Sequence, residues 1–287
     1  MPDSKIDRLR SLLFAPAVRP DFVARLPERG ADGVVIDCED ATPPAAKDEG
    51  RKNARELAPT IAGQGTMVFV RVNPVGTPWF EEDLASGLCA ELTGIVLPKV
   101  ERTAQLETTA RALADAGLHE LCVVAGIETA LGVADSRPLL AHPLVSAAYF
   151  GAEDFVADMG GVRTESSREV HYARSQVALA GRLAGLVLLD QVVTDFRNDE
   201  KLIREVREAR ELGYRGKLCI HPGQVAIANA GFVPSEEEVE HARRLLEAFG
   251  EASARGVAAI EFEGQMVDEP LAAHARQTLA AAGTEDG

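Results

Sequence analysis

Two acidic residues follow two consecutive apolar segments of the sequence. Glu128 ends LCVVAGIE and Asp154 ends VSAAYFGAED. Unbroken apolar runs of this kind are typical of buried strands in a parallel sheet, where a carboxylate is unfavourable without a partner. Two carboxylates at the same edge of a sheet suit Mg²⁺, and Mn²⁺ accepts similar ligands. The pair predicts a metal site with Glu128 and Asp154 as ligands; two unrelated surface acids are the alternative.

Eight apolar, strand-like segments alternate with helical patterns along the chain. The segments are LLFAP (12–16), GVVIDCE (33–39), TMVFVRVN (66–73), TGIVLPK (93–99), LCVVAGIE (121–128), VSAAYFGAED (145–154), LVLLDQVV (186–193) and GKLCIHP (216–222). This succession predicts an α/β fold of the (β/α)8 TIM-barrel type, with a doubly wound open sheet as the alternative. No Gly-x-Gly-x-x-Gly motif follows the first segment, so a dinucleotide-binding fold has no support.

Charged and polar residues mark the ends of these segments. In a TIM barrel the catalytic groups come from the C-terminal ends of several strands, so we expect these side chains to meet at one rim. They are Arg19, Asp37, Glu39, Asp40, Arg71, Asn73, Lys99, Glu101, Glu128, Asp154, Asp190 and His221.

The chain continues beyond the predicted barrel. Ser235 followed three residues later by Glu238 is a capping box that predicts a helix start. Gly264 and Pro270 then interrupt a short extended segment before a last helix. We therefore predict a catalytic barrel domain over residues 1–232 and a C-terminal helical extension over residues 233–287, which acts as a lid or an oligomer arm.

Composition excludes several classes of function. The net charge of −15 argues against a nucleic-acid-binding face, and no apolar run approaches the roughly 18 residues of a membrane span. The four cysteines, Cys38, Cys89, Cys122 and Cys219, form no CxxC pair. That pattern argues against a zinc site or a disulfide framework and favours a cytoplasmic location.

Nine motifs spread over most of the chain resemble one protein family. They are RSLLFAPAVRP, VVIDCEDATPPAAK, VRVNPVGT, VLPKVE, GIETALG, FGAEDFVADMGG, GYRGKLCIHPGQ, FVPSEEEVEHA and FEGQMVDEP. In this order they resemble the citrate lyase beta-subunit-like family of the HpcH/HpaI aldolase and citrate lyase superfamily. The resemblance implies a TIM barrel, Mg²⁺, a homotrimer, and cleavage of a carbon–carbon bond in a 3-hydroxyacyl thioester.

The resemblance also implies roles for individual residues. It makes Glu128 and Asp154 the metal ligands, and it implies that Arg71 of VRVN binds the reacting oxygens. Asp37 and Glu39 of IDCED would orient the water bound to the metal. Asp268 of MVDEP resembles an acid–base residue that CoA-dependent relatives deliver from the tail of a neighbouring subunit. The alternative role of Asp268 is to cap the last helix.

The substrate would need partners for its phosphates and for its carboxylate. Arg19, Lys47 and Arg51, on the first two predicted loops of the rim, could bind the phosphates of CoA, or be ordinary solvated charges. If a helix starts near the GAED turn, its free N–H groups could bind a keto-acid carboxylate. Those N–H groups belong to Gly151, Ala152 and Glu153.

The sequence therefore predicts a Mg²⁺-dependent carbon–carbon lyase. Its substrate would be an acyl-CoA thioester of the citramalyl-, malyl- or citryl-CoA type, which yields acetyl-CoA and a keto acid or ketone. One alternative is a citrate lyase beta subunit that acts on an acyl-carrier-protein thioester. A second alternative is a non-catalytic scaffold built on the barrel.

Overall fold

Eight parallel strands close into a barrel in chain order in the computed structural model, which describes residues 5–283. Residues 1–4 and 284–287 of the two predicted domains lie outside the described part. The strands are β1 (Ser11–Pro16), β2 (Gly33–Asp37), β3 (Met67–Arg71), β4 (Gly94–Leu97), β5 (Cys122–Ile127), β6 (Val145–Phe150), β7 (Val187–Asp190) and β8 (Gly216–Cys219). β1 pairs with β8, which closes the barrel. The predicted TIM-barrel fold is confirmed.

Helices connect the strands and surround the barrel. They are α1 (Pro20–Val23), α2 (Lys47–Ala62), α3 (Phe80–Ser86), α4 (Thr103–Asp115), α5 (Ala130–Ala134), α6 (Ser136–Leu140), α7 (Ala152–Asp158), α8 (His171–Ala184), α9 (Asp199–Glu211), α10 (Gly223–Gly231), α11 (Glu236–Ala254) and α12 (Glu269–Ala281). Short 3-10 turns occupy Lys5–Arg8, Leu26–Arg29, Pro44–Ala46 and Arg168–Val170.

The barrel interior is filled by alternate residues of the strands, since successive side chains of a strand point to opposite faces. One buried cluster contains Val35, Phe69, Val124 and Leu189, together with residues from the other four strands. Positions two residues further along a strand share the same face. The interior face therefore continues at the C-terminal rim with charged side chains.

Asp190 lies on the other face of its strand, contrary to the expectation that it joins the rim. Its carboxylate accepts hydrogen bonds from Arg174 of α8 and from Lys217 of β8. Lys217 also pairs with Glu205 of α9 at 3.2 Å. All four side chains are buried between the strands and the surrounding helices, so this ion network connects the barrel to its outer layer.

The chain divides into two compact units, one ending at Asn229 and the other starting at Ala230. The second unit contains α11, the antiparallel strands β9 (Ile260–Phe262) and β10 (Gln265–Val267), and α12. The predicted capping box at the start of α11 is confirmed. A hairpin replaces the predicted single extended segment, because Glu263 and Gly264 both adopt left-handed backbone angles that reverse the chain.

The second unit has its own small apolar core on α11, β10 and α12, formed by Ala242, Leu245, Phe249, Val267, Ala272 and Ala275. No helix within residues 5–283 is long and apolar enough to cross a membrane.

Candidate active site

A cavity of about 450 Å³ opens at the C-terminal ends of the strands. Its charged lining comes from the second, third, fifth and sixth strand ends, and its apolar lining from β1 and β8. The lining residues are Phe14, Ala15, Pro16, Asp37, Asp40, Ala41, Arg71, Glu128, Tyr149, Gly151, Ala152, Glu153, Asp154, Val192, Leu218 and Ile220. The structure thus brings together most of the residues that the sequence predicted for the site.

Arg71 is held in place by two carboxylates. Asp37 and Arg71 are cross-strand neighbours in the β2–β3 register. Arg71 donates to both Asp37 oxygens, over 2.8 and 2.6 Å. Its third nitrogen, Nη1, lies 3.0 Å from Glu39 Oε2 but makes no hydrogen bond with it. Burial alone would lower the pKa of Arg71, but Asp37, Glu39 and Tyr149 together outweigh this effect and raise it, so the guanidinium stays charged.

Glu128 is a buried carboxylate with one oxygen held and one oxygen free of hydrogen bonds among the described residues. Its Oε1 accepts from the Lys99 backbone N–H at 2.7 Å and from the Tyr149 hydroxyl at 3.2 Å. Burial, together with nearby Asp154 and Glu39, raises the pKa of Glu128 to about 7 although Arg71 opposes this shift. A bound cation would relieve this unfavourable charge.

Asp154 belongs to a helix rather than to the end of a strand. The predicted strand over residues 145–154 is too long, because β6 ends at Phe150 and α7 begins two residues later. Acidic residues favour the first turn of a helix, and Glu153 and Asp154 both lie there. The Asp154 carboxylate is partly exposed, lines the cavity and lies 3.7 Å from Lys99 Nζ.

Gly151 has no side chain, and the side chain of Glu128 occupies the space beside it. A Cβ at Gly151 would lie 2.4 Å from Glu128 Oε2 and 2.7 Å from Glu128 Cβ. Such distances are too short, so the backbone or the carboxylate would have to move.

We expect Gly151→Ala to displace the Glu128 carboxylate and to lower the free energy of unfolding by about 1–3 kcal/mol, as overpacking does. Chemical denaturation would measure the change. Gly250→Ala is the matched control, since a Cβ there meets no atom within 4 Å and an alanine favours the helix. Equal stability of Gly151→Ala and the unmodified protein would contradict the steric argument.

Lys99 joins the site, as expected for a residue at the end of its predicted strand. Its ammonium contacts Glu39 at 2.5 Å and Asp40 at 3.4 Å. Its backbone is left-handed, with φ of 52°, and this conformation aims its N–H at Glu128. Tyr149 was not among the residues expected at the rim; its position two residues after Ala147 on the interior face of β6 was the available signal.

Lys47 and Arg51 are buried below the rim instead of extending from it. Lys47 Nζ donates to the Cys38 and Glu39 carbonyl oxygens and to Asn73 Oδ1. Burial lowers the pKa of Lys47 even though carboxylates nearby oppose this shift. Arg51 pairs with buried Asp83 at 3.1 Å and with two further carboxylates, those of Asp48 and Glu82. These charges hold the loops after β2 and β3 together.

Arg19 lies on the surface, where its guanidinium pairs with Asp21 at 2.8 Å. A second cavity of about 460 Å³ lies nearby, with Phe14, Ala15, Pro16 and Ile220 in common with the first. Its lining is mainly apolar. The basic residues of that lining are Arg25, Arg29 and His221.

Asp268 occupies the N-cap position of α12 in the second unit, but its side chain makes no capping hydrogen bond. The alternative role of Asp268, a side-chain cap of this helix, is therefore absent from this structure. Asp268 is half-buried.

The residues at the cavity fit a hard divalent cation. In the part of the chain that the structure describes, no three His, Cys, Asp or Glu side chains are arranged to hold a metal. Mg²⁺ does not need such a cage, because it commonly uses one or two carboxylates and keeps water or substrate on its other positions. Glu128 Oε2, with the space beside Gly151, and the Asp154 carboxylate provide those ligands.

The closed barrel with charged groups at its C-terminal rim defines the class of (β/α)8-barrel enzymes. The model of the HpcH/HpaI aldolase/citrate lyase family matches residues 10–222. The chain therefore belongs to the HpcH/HpaI aldolase/citrate lyase family, as its motifs predicted.

Similar proteins cover nearly the whole chain. A citrate lyase subunit beta-like protein of Deinococcus radiodurans is 48% identical over 94% of this chain and 96% of its own. A (3S)-malyl-CoA thioesterase of Cereibacter sphaeroides is 32% identical over 95% of this chain and 94% of its own. The crystal structure of CitE from Mycobacterium tuberculosis with magnesium, acetoacetate and coenzyme A is 33% identical, has a TM-score of 0.82, and is matched over 95% of this chain and 97% of that chain.

Proposed function

We propose that the protein is a Mg²⁺-dependent carbon–carbon lyase that cleaves, or in reverse forms, a 3-hydroxyacyl-CoA thioester. One observation carries the proposal: two carboxylates able to bind a cation share a cavity with a guanidinium able to stabilise an oxyanion. The family membership and the CitE complex with magnesium, acetoacetate and coenzyme A support this reaction class. Candidate substrates are citramalyl-, malyl- and citryl-CoA, with acetyl-CoA and a keto acid or ketone as products.

The charges at the cavity suit that reaction. Mg²⁺ held by Glu128 and Asp154 would supply Lewis-acid stabilisation of the oxygen on which negative charge develops. Arg71 would donate hydrogen bonds to the same developing charge, because Asp37 and Glu39 fix the plane of its guanidinium at the cavity. The two acids would thus orient Arg71 as well as the water around the cation.

The start of α7 would bind the substrate carboxylate. Gly151 donates its own N–H to the Ile127 carbonyl at 3.1 Å, in continuation of the β5–β6 ladder. Ala152 and Glu153 are the first residues of the helix, so their N–H groups have no acceptor within the helix. We assign the carboxylate to these two groups, with Gly151 providing a close approach.

The second cavity would accept part of the CoA arm. It adjoins the first, so a thioester at Arg71 can continue into it, and its apolar lining suits the pantetheine chain. Arg25 and Arg29 line it and Arg19 lies on the adjacent surface, where guanidinium groups favour phosphates. We assign Lys47 and Arg51, with their buried ion pairs, to support of the loops that form the rim.

A screen of acyl-CoA thioesters tests the proposal. We expect Mg²⁺-dependent release of acetyl-CoA from at least one 3-hydroxyacyl-CoA, measured by chromatography. Release of free CoA without acetyl-CoA would instead indicate thioester hydrolysis. Turnover only on an acyl-carrier-protein thioester would indicate the citrate lyase subunit reaction. No product from any thioester, with the protein folded and Mg²⁺ present, would overturn the proposal.

Asp268 is proposed as the acid–base residue, acting from the tail of a neighbouring copy in a homotrimer. We expect Asp268→Asn to keep its unfolding midpoint, because the Asp268 side chain makes no capping hydrogen bond that the variant could lose, and to lose about a hundred- to ten-thousandfold in turnover as general acid–base catalysis is removed. Steady-state kinetics and thermal unfolding measure the two effects. Full activity of the variant would discard the role.

A subunit-mixing experiment tests action in trans. Inactive Asp268→Asn subunits mixed with inactive Glu128→Gln subunits should recover part of the activity, because some sites then combine an intact rim with an intact tail. Sedimentation measures the oligomer, and verified mixed oligomers without activity would refute the trans arrangement.

The four cysteines are free thiols, which supports the proposed cytoplasmic location.

A further inference from the structure

Lys99 contacts four carboxylates of the site. Its backbone N–H holds Glu128, and its ammonium lies 2.5 Å from Glu39, 3.4 Å from Asp40 and 3.7 Å from Asp154. The side chain is 28% exposed, so it retains room to move. The ammonium thus lies near Asp154, whose carboxylate the proposed cation would need, and against Glu39, which would orient the water around that cation.

The surrounding turn fixes the backbone from which this side chain extends. Val100 donates to the Gly126 carbonyl of β5 at 3.0 Å. Gln105 of α4 accepts from Glu101 and Arg102, two and three residues after Lys99. These bonds hold Lys99 in a left-handed conformation that a side-chain-bearing residue adopts only at a cost. A strained backbone kept by its neighbours points to a role for the residue it positions.

We propose that Lys99 is a positioning residue whose ammonium competes with the divalent cation for Asp154, and so sets the affinity of the site. Without a cation, the ammonium neutralises the carboxylates and holds them in place. When a cation binds, the ammonium moves away from Asp154 while the backbone N–H keeps its hold on Glu128. The inference rests on the proposed function, because it takes Mg²⁺ as the cation of this site.

Competition and a purely structural role predict opposite changes in Mg²⁺ affinity when Lys99 is replaced. Removing the ammonium removes the ion pair that the cation has to displace at Asp154 and the repulsion between the two positive charges, an effect of about tenfold in affinity even at the screening of bulk water. If Lys99 instead only supported the ligands, its removal would loosen them and weaken the binding of the cation. The sign of the change in Mg²⁺ affinity therefore separates the two roles.

The test measures Mg²⁺ binding by calorimetry and the unfolding midpoint with and without Mg²⁺. We expect Lys99→Met to bind Mg²⁺ about tenfold more tightly than the unmodified protein. Its midpoint without Mg²⁺ should fall, since the carboxylates lose their internal partner, and Mg²⁺ should raise it by more than in the unmodified protein. Lys99→Gly, which accepts the left-handed backbone, is the second variant should the methionine variant not fold.

Lys52→Met is the matched control, because it removes a positive charge from an exposed side chain paired only at 4.0 Å with Glu56. We expect it to leave Mg²⁺ affinity unchanged. Equal or weaker Mg²⁺ binding by both Lys99 variants would overturn the role of Lys99. An unmodified protein that binds no Mg²⁺ would instead overturn the proposed function, so the two failures are distinguishable.

Discussion

Glu128→Gln should strongly weaken Mg²⁺ binding and catalysis while the barrel stays folded. Loss of outer-shell partners alone weakens metal sites about 10- to 100-fold, so loss of a ligand charge should weaken Mg²⁺ binding by more than about 100-fold. Turnover should fall at least about a hundred- to thousandfold, because the developing negative charge loses its main stabilisation. Calorimetry with Mg²⁺ and steady-state kinetics measure the two effects.

The fold should tolerate this substitution. Glu128 is almost completely buried, and glutamine keeps its shape, retains an acceptor for Lys99 N–H and Tyr149, and carries no charge. Glu205→Gln is the matched control, since Glu205 is an equally buried acid that pairs with Lys217 away from the cavity. We expect the control to keep Mg²⁺ binding. A Glu128→Gln variant with unchanged Mg²⁺ affinity would contradict the ligand assignment.

The same carboxylate predicts how Mg²⁺ binding and stability vary with pH. Since the pKa of Glu128 is about 7 in the folded protein, Mg²⁺ affinity should increase about tenfold from pH 6 to pH 8 as the carboxylate loses its proton. Without Mg²⁺ the folded state binds the proton more tightly than the unfolded chain, so stability should fall as the pH rises from about 4.5 to about 7. Glu128→Gln should lose this component of both dependences.

The sequence also contains the information that decides which face of its strand each end residue occupies. The eight apolar segments predict the eight strands, but their apolar composition alone does not distinguish an end residue that faces the barrel interior from one that faces the helices. Alternation separates them: Asp37 is two residues beyond Val35 and Arg71 two beyond Phe69, whereas Asp190 directly follows Leu189. Asp190 therefore faces the helices.

Partners that are distant in sequence could not have been predicted in this way. Arg51 is buried because Asp83, 32 residues later, meets its guanidinium. The pairing of Lys99 with Glu39 spans 60 residues, and its strained backbone leaves no signature in composition or periodicity. The family motifs indicated which residues matter, whereas the strand register and the loop packing decide which of them touch.

Arg71→Lys should lower kcat about a hundred- to thousandfold with a smaller change in KM. In the proposed reaction the guanidinium stabilises negative charge that develops only in the transition state, and the loss of one such donor typically has an effect of this size. Lysine keeps the charge but cannot bond both Asp37 oxygens and still face the cavity, because it lacks the planar fork. A variant with near-normal kcat and only a raised KM would contradict the role.

A second arginine of the same barrel separates this effect from a loss of stability. Arg10 donates to both oxygens of Asp32 over 2.8 Å, as Arg71 does to Asp37, but it lies before β1, at the opposite end of the strands. Arg10→Lys therefore removes a comparable two-point ion pair that lies away from the cavity. We expect both variants to unfold at lower denaturant concentration, and only Arg71→Lys to lose turnover. If Arg10→Lys reduced kcat as strongly, the loss at Arg71 would reflect general destabilisation of the barrel rather than stabilisation of the reacting oxygen.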